Sequence, residues 1–146
     1  MAIKSFFALM RKTNTVYEKY FETMVRKNGM NSTSFQVLMF FADNPEHNTA
    51  RDLCRLRSMK TGIVSVAIEQ LTVSGLLERR NDLTDRRIQR LYLTEQALPV
   101  VEEGRALRQR FFQRLQQGMT EEEFKIYFEL TMKLQSTVEE MAQEIR

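Results

Sequence analysis

Apolar residues recur along most of the chain at helical spacing, and one stretch alternates in the manner of a strand. Ile3, Phe6, Phe7, Met10, Tyr17, Tyr20, Phe21 and Met24 form a stripe that predicts a helix from Ile3 to about Val25, stopped by Asn28-Gly29. Asn31 is placed to cap a second helix, with Phe35, Leu38, Met39 and Phe41 facing inward until Asp43-Asn44-Pro45 opens a loop. Thr49, with Asp52 three residues later, makes a capping box for a short helix to Leu56. After a break at Arg57-Ser58, Val64, Ala67, Ile68 and Leu71 share one face of a further helix that Gly75 ends.

Two short helices joined so tightly suggest a helix-turn-helix, whose second helix would enter a DNA major groove. Leu76 to Arg80 reads as a strand, Asn81 to Asp85 as a turn, and Ile88 to Leu93 as a returning strand. In that last run Leu91 and Leu93 fall on one face and Arg90 and Tyr92 on the other, with Arg86 and Arg87 at or near the hairpin tip. A helix-turn-helix followed by a basic hairpin is a winged helix. Thr94 is then expected to cap a long helix over about 95–117, ended by Gly118, and Thr120 with Glu123 opens a last helix to about Ile145. Pro99, about five residues in, is expected to bend the first turns of the earlier one. The fold class is therefore mostly α with a small antiparallel β-hairpin wing.

DLCRL, then VSVAIEQLTVSGLLERR, then DRRIQRLYLTEQA resembles the multiple-antibiotic-resistance regulator (MarR) family of winged-helix transcription regulators. The family's wing carries an Asp-x-Arg element, matched by Asp85, Arg86 and Arg87, and an apolar strand ending in Leu-Thr, matched by Leu93-Thr94. The long flanking helices fit as well, so the resemblance spans nearly the whole of 1–146. It implies a winged helix-turn-helix lobe over 31–94, with 1–28 and 95–146 as a helical dimerisation region. It also implies a two-fold dimer whose wings reach successive grooves, with the Arg of the wing element in the minor groove and the Asp bracing its guanidinium.

Composition and charge narrow the reading. Segment 47–94 holds nine basic and five acidic side chains, a balance of +4, whereas 95–146 is at −3, so positive charge gathers where DNA contact is expected. Every base in 47–94 except Lys60 is Arg, the side chain suited to phosphate and base-edge forks. One cysteine excludes an internal disulfide framework and suits a reducing cytoplasm; no apolar run approaches a membrane span. There is no phosphate-cradling glycine loop and no nucleophile elbow, so no enzyme, catalytic residue or cofactor is expected. His47 stands alone in a polar loop, which argues against a metal site.

The expected DNA-binding residues are Lys60, Thr61, Gly62, Ser65 and Val66 on the second helix of the motif, and Arg79, Asp85, Arg86 and Arg87 on the wing. Val66 stands where relatives often carry Arg, its other reading being contact with a thymine methyl, and Glu69 puts a negative charge on the same side, which weakens direct base readout more than binding. The bland alternative for the wing is a solvated hairpin. Cys54 reads as a small buried hydrophobe or as a redox sensor. Aromatic surface on the first and last helices calls for a second copy to cover it, because a helix of about 23 residues is about 34 Å long. Relatives commonly respond to small aromatic compounds, for which Met10, Met39, Phe40 and Phe41 are candidates here, with core packing as their other reading. The function expected is a homodimeric transcription regulator of double-stranded DNA, a repressor released by a small-molecule effector. The alternative is a helical dimer that acts through protein contacts without sequence-specific DNA binding; a gel shift separates the two.

Overall fold

Three helices begin at reciprocal caps formed by the residues the sequence nominates. Asn31 accepts the Ser34 N–H at 2.8 Å while the Ser34 hydroxyl accepts the Asn31 N–H at 3.0 Å. Thr49 with Asp52, and Thr120 with Glu123, close the same double bond. Each such cap contributes about 1 kcal/mol by satisfying N–H groups that the helix itself leaves unpaired. The computed structural model describes residues 2–145. Its elements run α1 (Ala2–Lys27), α2 (Ser32–Asp43), α3 (Ala50–Arg57), α4 (Thr61–Val73), β1 (Leu77–Asn81), β2 (Gln89–Leu93), α5 (Ala97–Gln116) and α6 (Glu121–Glu144). The fold is mostly helical with one two-stranded antiparallel sheet.

The chain divides into two units, residues 1–108 and 109–146. In the first, α2 is the spine. Phe35, Val37, Leu38, Met39, Phe40 and Phe41 are all buried, and they meet Phe21 and Met24 of α1, Leu53 of α3, Val64, Ala67, Ile68 and Leu71 of α4, and Leu77 and Leu91 of the hairpin. Burying each such side chain is worth roughly 1.5–3 kcal/mol. Helix α5 comes so near α2 that a Cβ on Gly104 would lie 2.9 Å from the Phe35 ring and 3.1 Å from the Met39 sulfur. Glycine there is what permits the approach.

Helix α4 ends as expected: Gly75 takes φ +74°, and the Leu76 N–H reaches back to the Leu71 carbonyl at 2.9 Å. The next element differs from expectation. Helix α5 starts at Ala97, not 95, and the Thr94 hydroxyl donates to the Gly75 carbonyl at 2.5 Å instead of capping. Thr94 thus ties the end of the wing to the end of α4. Pro99 becomes the third residue of α5, where a backbone N–H has no helical partner anyway, so local propensity raises no objection. The hairpin shifts slightly too, since β1 is Leu77–Asn81, paired in the register Leu77 with Leu93 through Asn81 with Gln89.

The second unit contains the end of α5, a turn closed by the Met119 N–H on the Gln116 carbonyl at 2.8 Å, and α6. No described residue of α6 is buried, and Phe128, Leu130, Leu134, Val138 and Met141 all face outward. Among the described residues no helix is long and apolar enough to cross a membrane.

Candidate nucleic-acid interface

Helix α4 buries Val64, Ala67, Ile68 and Leu71, which leaves Thr61, Gly62, Ser65 and Val66 exposed on its other side. Lys60 precedes it in extended backbone, with a side chain that makes no cap bond. The turn from α3 is made by Ser58 at φ +50°, a left-handed conformation that costs a non-glycine residue and is imposed by the tight joint. Every residue expected to contact DNA on this helix is therefore exposed.

The wing is built around a carboxylate that the sequence reading passed over. Asp82 accepts the backbone N–H groups of Thr84 and Asp85, each at 3.0 Å, and the Thr84 hydroxyl at 2.6 Å, while its other oxygen pairs with the Arg90 Nε. The Thr84 hydroxyl first, then Arg90, hold this carboxyl well below the usual aspartate range. Arg90 also donates to the Asn48 side-chain oxygen at 2.8 Å, and the Asn48 carbonyl takes the Leu91 N–H at 2.8 Å. Strand β2 is thereby locked to the loop that leads into α3. The pattern Asn-Asp-x-Thr-Asp is a turn former with self-bonding side chains, so the local part was legible. The link from residue 48 to residue 90 has no local signal.

The arginines of the wing fall into two sets. Arg79 pairs with Glu69 of α4 at 2.7 Å, so the acidic charge expected on the groove side is neutralised from the hairpin. Arg80 pairs with Glu78 and lies over the Tyr92 ring, 4.7 Å from its centre. Arg86 and Arg87 are exposed, and among the described residues their guanidinium groups have no acidic partner. Asp85 does not brace Arg87 in the way the family resemblance implies. Its carboxylate accepts the Arg87 backbone N–H at 3.0 Å, which shapes the loop and leaves the guanidinium unheld. Arg51 of α3, absent from the expected set, lines with Arg87 an open cleft of about 730 Å³.

Residues 28–88, the span that holds this helix-turn-helix, β1 and the hairpin turn but not β2, match the model of the MarR family. Over those residues the chain is similar to the MarR family. The fold match is wider than the family match. The transcriptional regulator SlyA superposes with a TM-score of 0.86 over 97% of this chain and 99% of its own, at 16% identity. Staphylococcus aureus MepR, solved in complex with DNA, gives 0.78 over 91% and 97% at 18% identity. Bordetella bronchiseptica BpsR, whose DNA binding is regulated by 6-hydroxynicotinic acid, gives 0.73 over 90% and 98% at 21% identity. No curated protein sequence matches the chain.

In this fold the four effector candidates part company. Met39, Phe40 and Phe41 are buried in the core, and Met10 is exposed on α1. A cleft of about 380 Å³ opens instead where α1 meets the start of α2, lined in part by Tyr17, Phe21, Val25, Met30 and Phe35. Burial pushes the Tyr17 phenol up, opposed by the nearby Arg108 guanidinium. Arg108 donates to Asp43 at 2.7 Å, and its remaining nitrogens, Nε and Nη2, are buried without a hydrogen-bond partner among the described residues. Cys54 is half-buried. No cluster of three potential metal ligands occurs among the described residues.

Proposed function

We propose that this chain is a homodimeric DNA-binding transcription regulator of the cytoplasm, a repressor that occupies a pseudo-palindromic operator. The observation that carries the reading is the set of exposed cations with no acidic partner among the described residues: Lys60 at the start of α4 and Arg86 and Arg87 on the wing. Cations not consumed by the protein are the ones free to displace counterions from phosphate. Lys60, Thr61, Gly62, Ser65 and Val66 would face the major groove, with Arg86 and Arg87 at the adjoining backbone and minor groove. Arg79 and Asp85 act behind them, Arg79 through Glu69 and Asp85 by shaping the loop.

Two copies are needed for two half-sites, and exposed apolar surface supports them. Phe6, Phe7 and Met10 on α1, and Phe128, Leu134, Val138 and Met141 on α6, are exposed in one chain and would be covered by interlocking with a second. Removing α6 from Glu121 onward should leave partly unfolded or insoluble protein. A stable full-length monomer in light scattering at micromolar concentration would contradict the dimer. A small aromatic effector would enter the Tyr17–Phe35 cleft. Gel shifts on genomic fragments, with and without a panel of aromatic acids, test binding and release together. Failure to retard any fragment at low salt would contradict the reading.

A further inference from the structure

The side of α4 turned away from the core carries almost nothing that can make the forked hydrogen bonds by which proteins read guanine or adenine. Ile63, Val66 and Val73 are 49%, 58% and 79% exposed there, with Gly62 between the first two and Lys60. Of the longer polar side chains on this helix, Glu69 is consumed by Arg79 at 2.7 Å, and the Gln70 side-chain oxygen accepts from the Asn31 amide at 3.1 Å. Neither is presented as a free fork. What remains near the N-terminal half, the part of a recognition helix that reaches base edges, is a branched apolar edge of Ile63 and Val66 flanked by the small Thr61, Gly62 and Ser65.

We infer that α4 reads its half-site through thymine C5-methyl groups, packed against Ile63 and Val66, and not through bidentate hydrogen bonds. This deepens the DNA-binding reading and rests on it. The major groove is where one base pair differs from another by a methyl group, which T presents and C lacks, and apolar side chains are the groups that recognise it. The occupant is committed by charge. The apolar edge lies on the helix that begins at Lys60, on the lobe that carries the unpaired Arg86 and Arg87. Cations outside and methyl-seeking side chains inside fit a polyanion with methylated base edges. Gly62 leaves nothing between the backbone and the groove at its own position, where a Cβ would meet no atom within 4 Å.

The test uses the full chain and DNA duplexes recovered from a random-sequence pool by repeated binding. Thymines at the positions facing α4 are then replaced one at a time by deoxyuridine, which pairs identically and lacks only the methyl. Each effective replacement should weaken binding by about fourfold, the value of one buried methyl-sized group. Both side chains are about half exposed, so Ile63→Ala and Val66→Ala should fold normally. In those variants the matching deoxyuridine penalty should vanish, since the methyl has already lost its partner. Selected duplexes bound equally well with thymine or deoxyuridine overturn this inference and leave DNA binding intact. The same penalty in wild type and both alanine variants also overturns it, because the methyl would then act through DNA shape. A chain that retains no duplex at all removes the underlying DNA-binding reading as well.

Discussion

The strands and the tip of one small hairpin use the same side chain for opposite ends. Along the strands, Arg79, Arg80 and Arg90 are tied to Glu69, Glu78 and Asp82, and Arg90 extends the tie to Asn48. At the tip, Arg86 and Arg87 have no such partner among the described residues, and the loop carboxylates Asp82 and Asp85 accept backbone N–H groups. Of these five arginines, Arg79, Arg86 and Arg87 are expected from the sequence to contact DNA. The structure divides them into three that hold the wing and two that the wing holds out. Charge density along a sequence is therefore an upper bound on the charge a protein can offer a polyanion.

This division ranks the consequences of removing each group. Arg90→Ala should have the largest effect, weakening operator binding by about a hundredfold, because unlocking β2 from Asn48 misplaces both tip arginines at once. It should also lower the melting temperature, whereas a tip variant should not. Arg87→Ala should weaken binding about tenfold, the loss typical of one specific contact, with thermal stability unchanged. Equal affinity losses with equal stability losses at both sites would erase the distinction between strand and tip.

Asp85→Ala should weaken binding by only about threefold, since a loop-shaping bond is lost while a charge repelled by phosphate goes with it. Tighter binding than wild type would mean that repulsion, not loop shape, governs that position. The Asp82 hub makes a pH prediction with a definite sign. Its folded-state pKa is depressed, so its stabilisation is complete above the unfolded aspartate value of about 3.9 and is lost as pH falls through the lower folded value. Amide protection at Thr84 and Asp85 should therefore survive from neutral pH down to about 4 and decline below it. In Asp82→Ala it should be absent even at neutral pH, as hydrogen exchange would reveal. The smallest effect belongs to Leu83, fully exposed at the tip, where Leu83→Ser should change stability by less than about 0.5 kcal/mol.

What the sequence made legible follows the range of the interactions. The caps at Asn31, Thr49 and Thr120 act over three residues, and the stripe of Val64, Ala67, Ile68 and Leu71 over seven, so pattern alone located them. The same holds for Gly75, whose positive φ is what a helix stop of this kind requires. Thr94 was misread because its hydroxyl had two uses, and the tertiary one, on Gly75 nineteen residues back, prevailed over the local cap. The Glu69–Arg79 and Asn48–Arg90 pairs, ten and forty-two residues apart, leave no periodic trace. The burial of Met39 and Phe41 was legible from the stripe of the second helix, whereas the exposure of Met10 was not, because one helical stripe cannot say which neighbour covers it.

The central claim, that the unpaired tip arginines are the ones that meet DNA, has a direct measure in the salt dependence of binding. For wild type, log affinity should fall with log salt by about 0.9 for each phosphate neutralised. The double variant Arg86→Ala/Arg87→Ala should lower that slope by about 1.8, while Arg80→Ala, whose guanidinium is already paired, should leave it nearly unchanged. A slope near zero in wild type, or the same decrease from Arg80→Ala as from each tip arginine, would contradict the account.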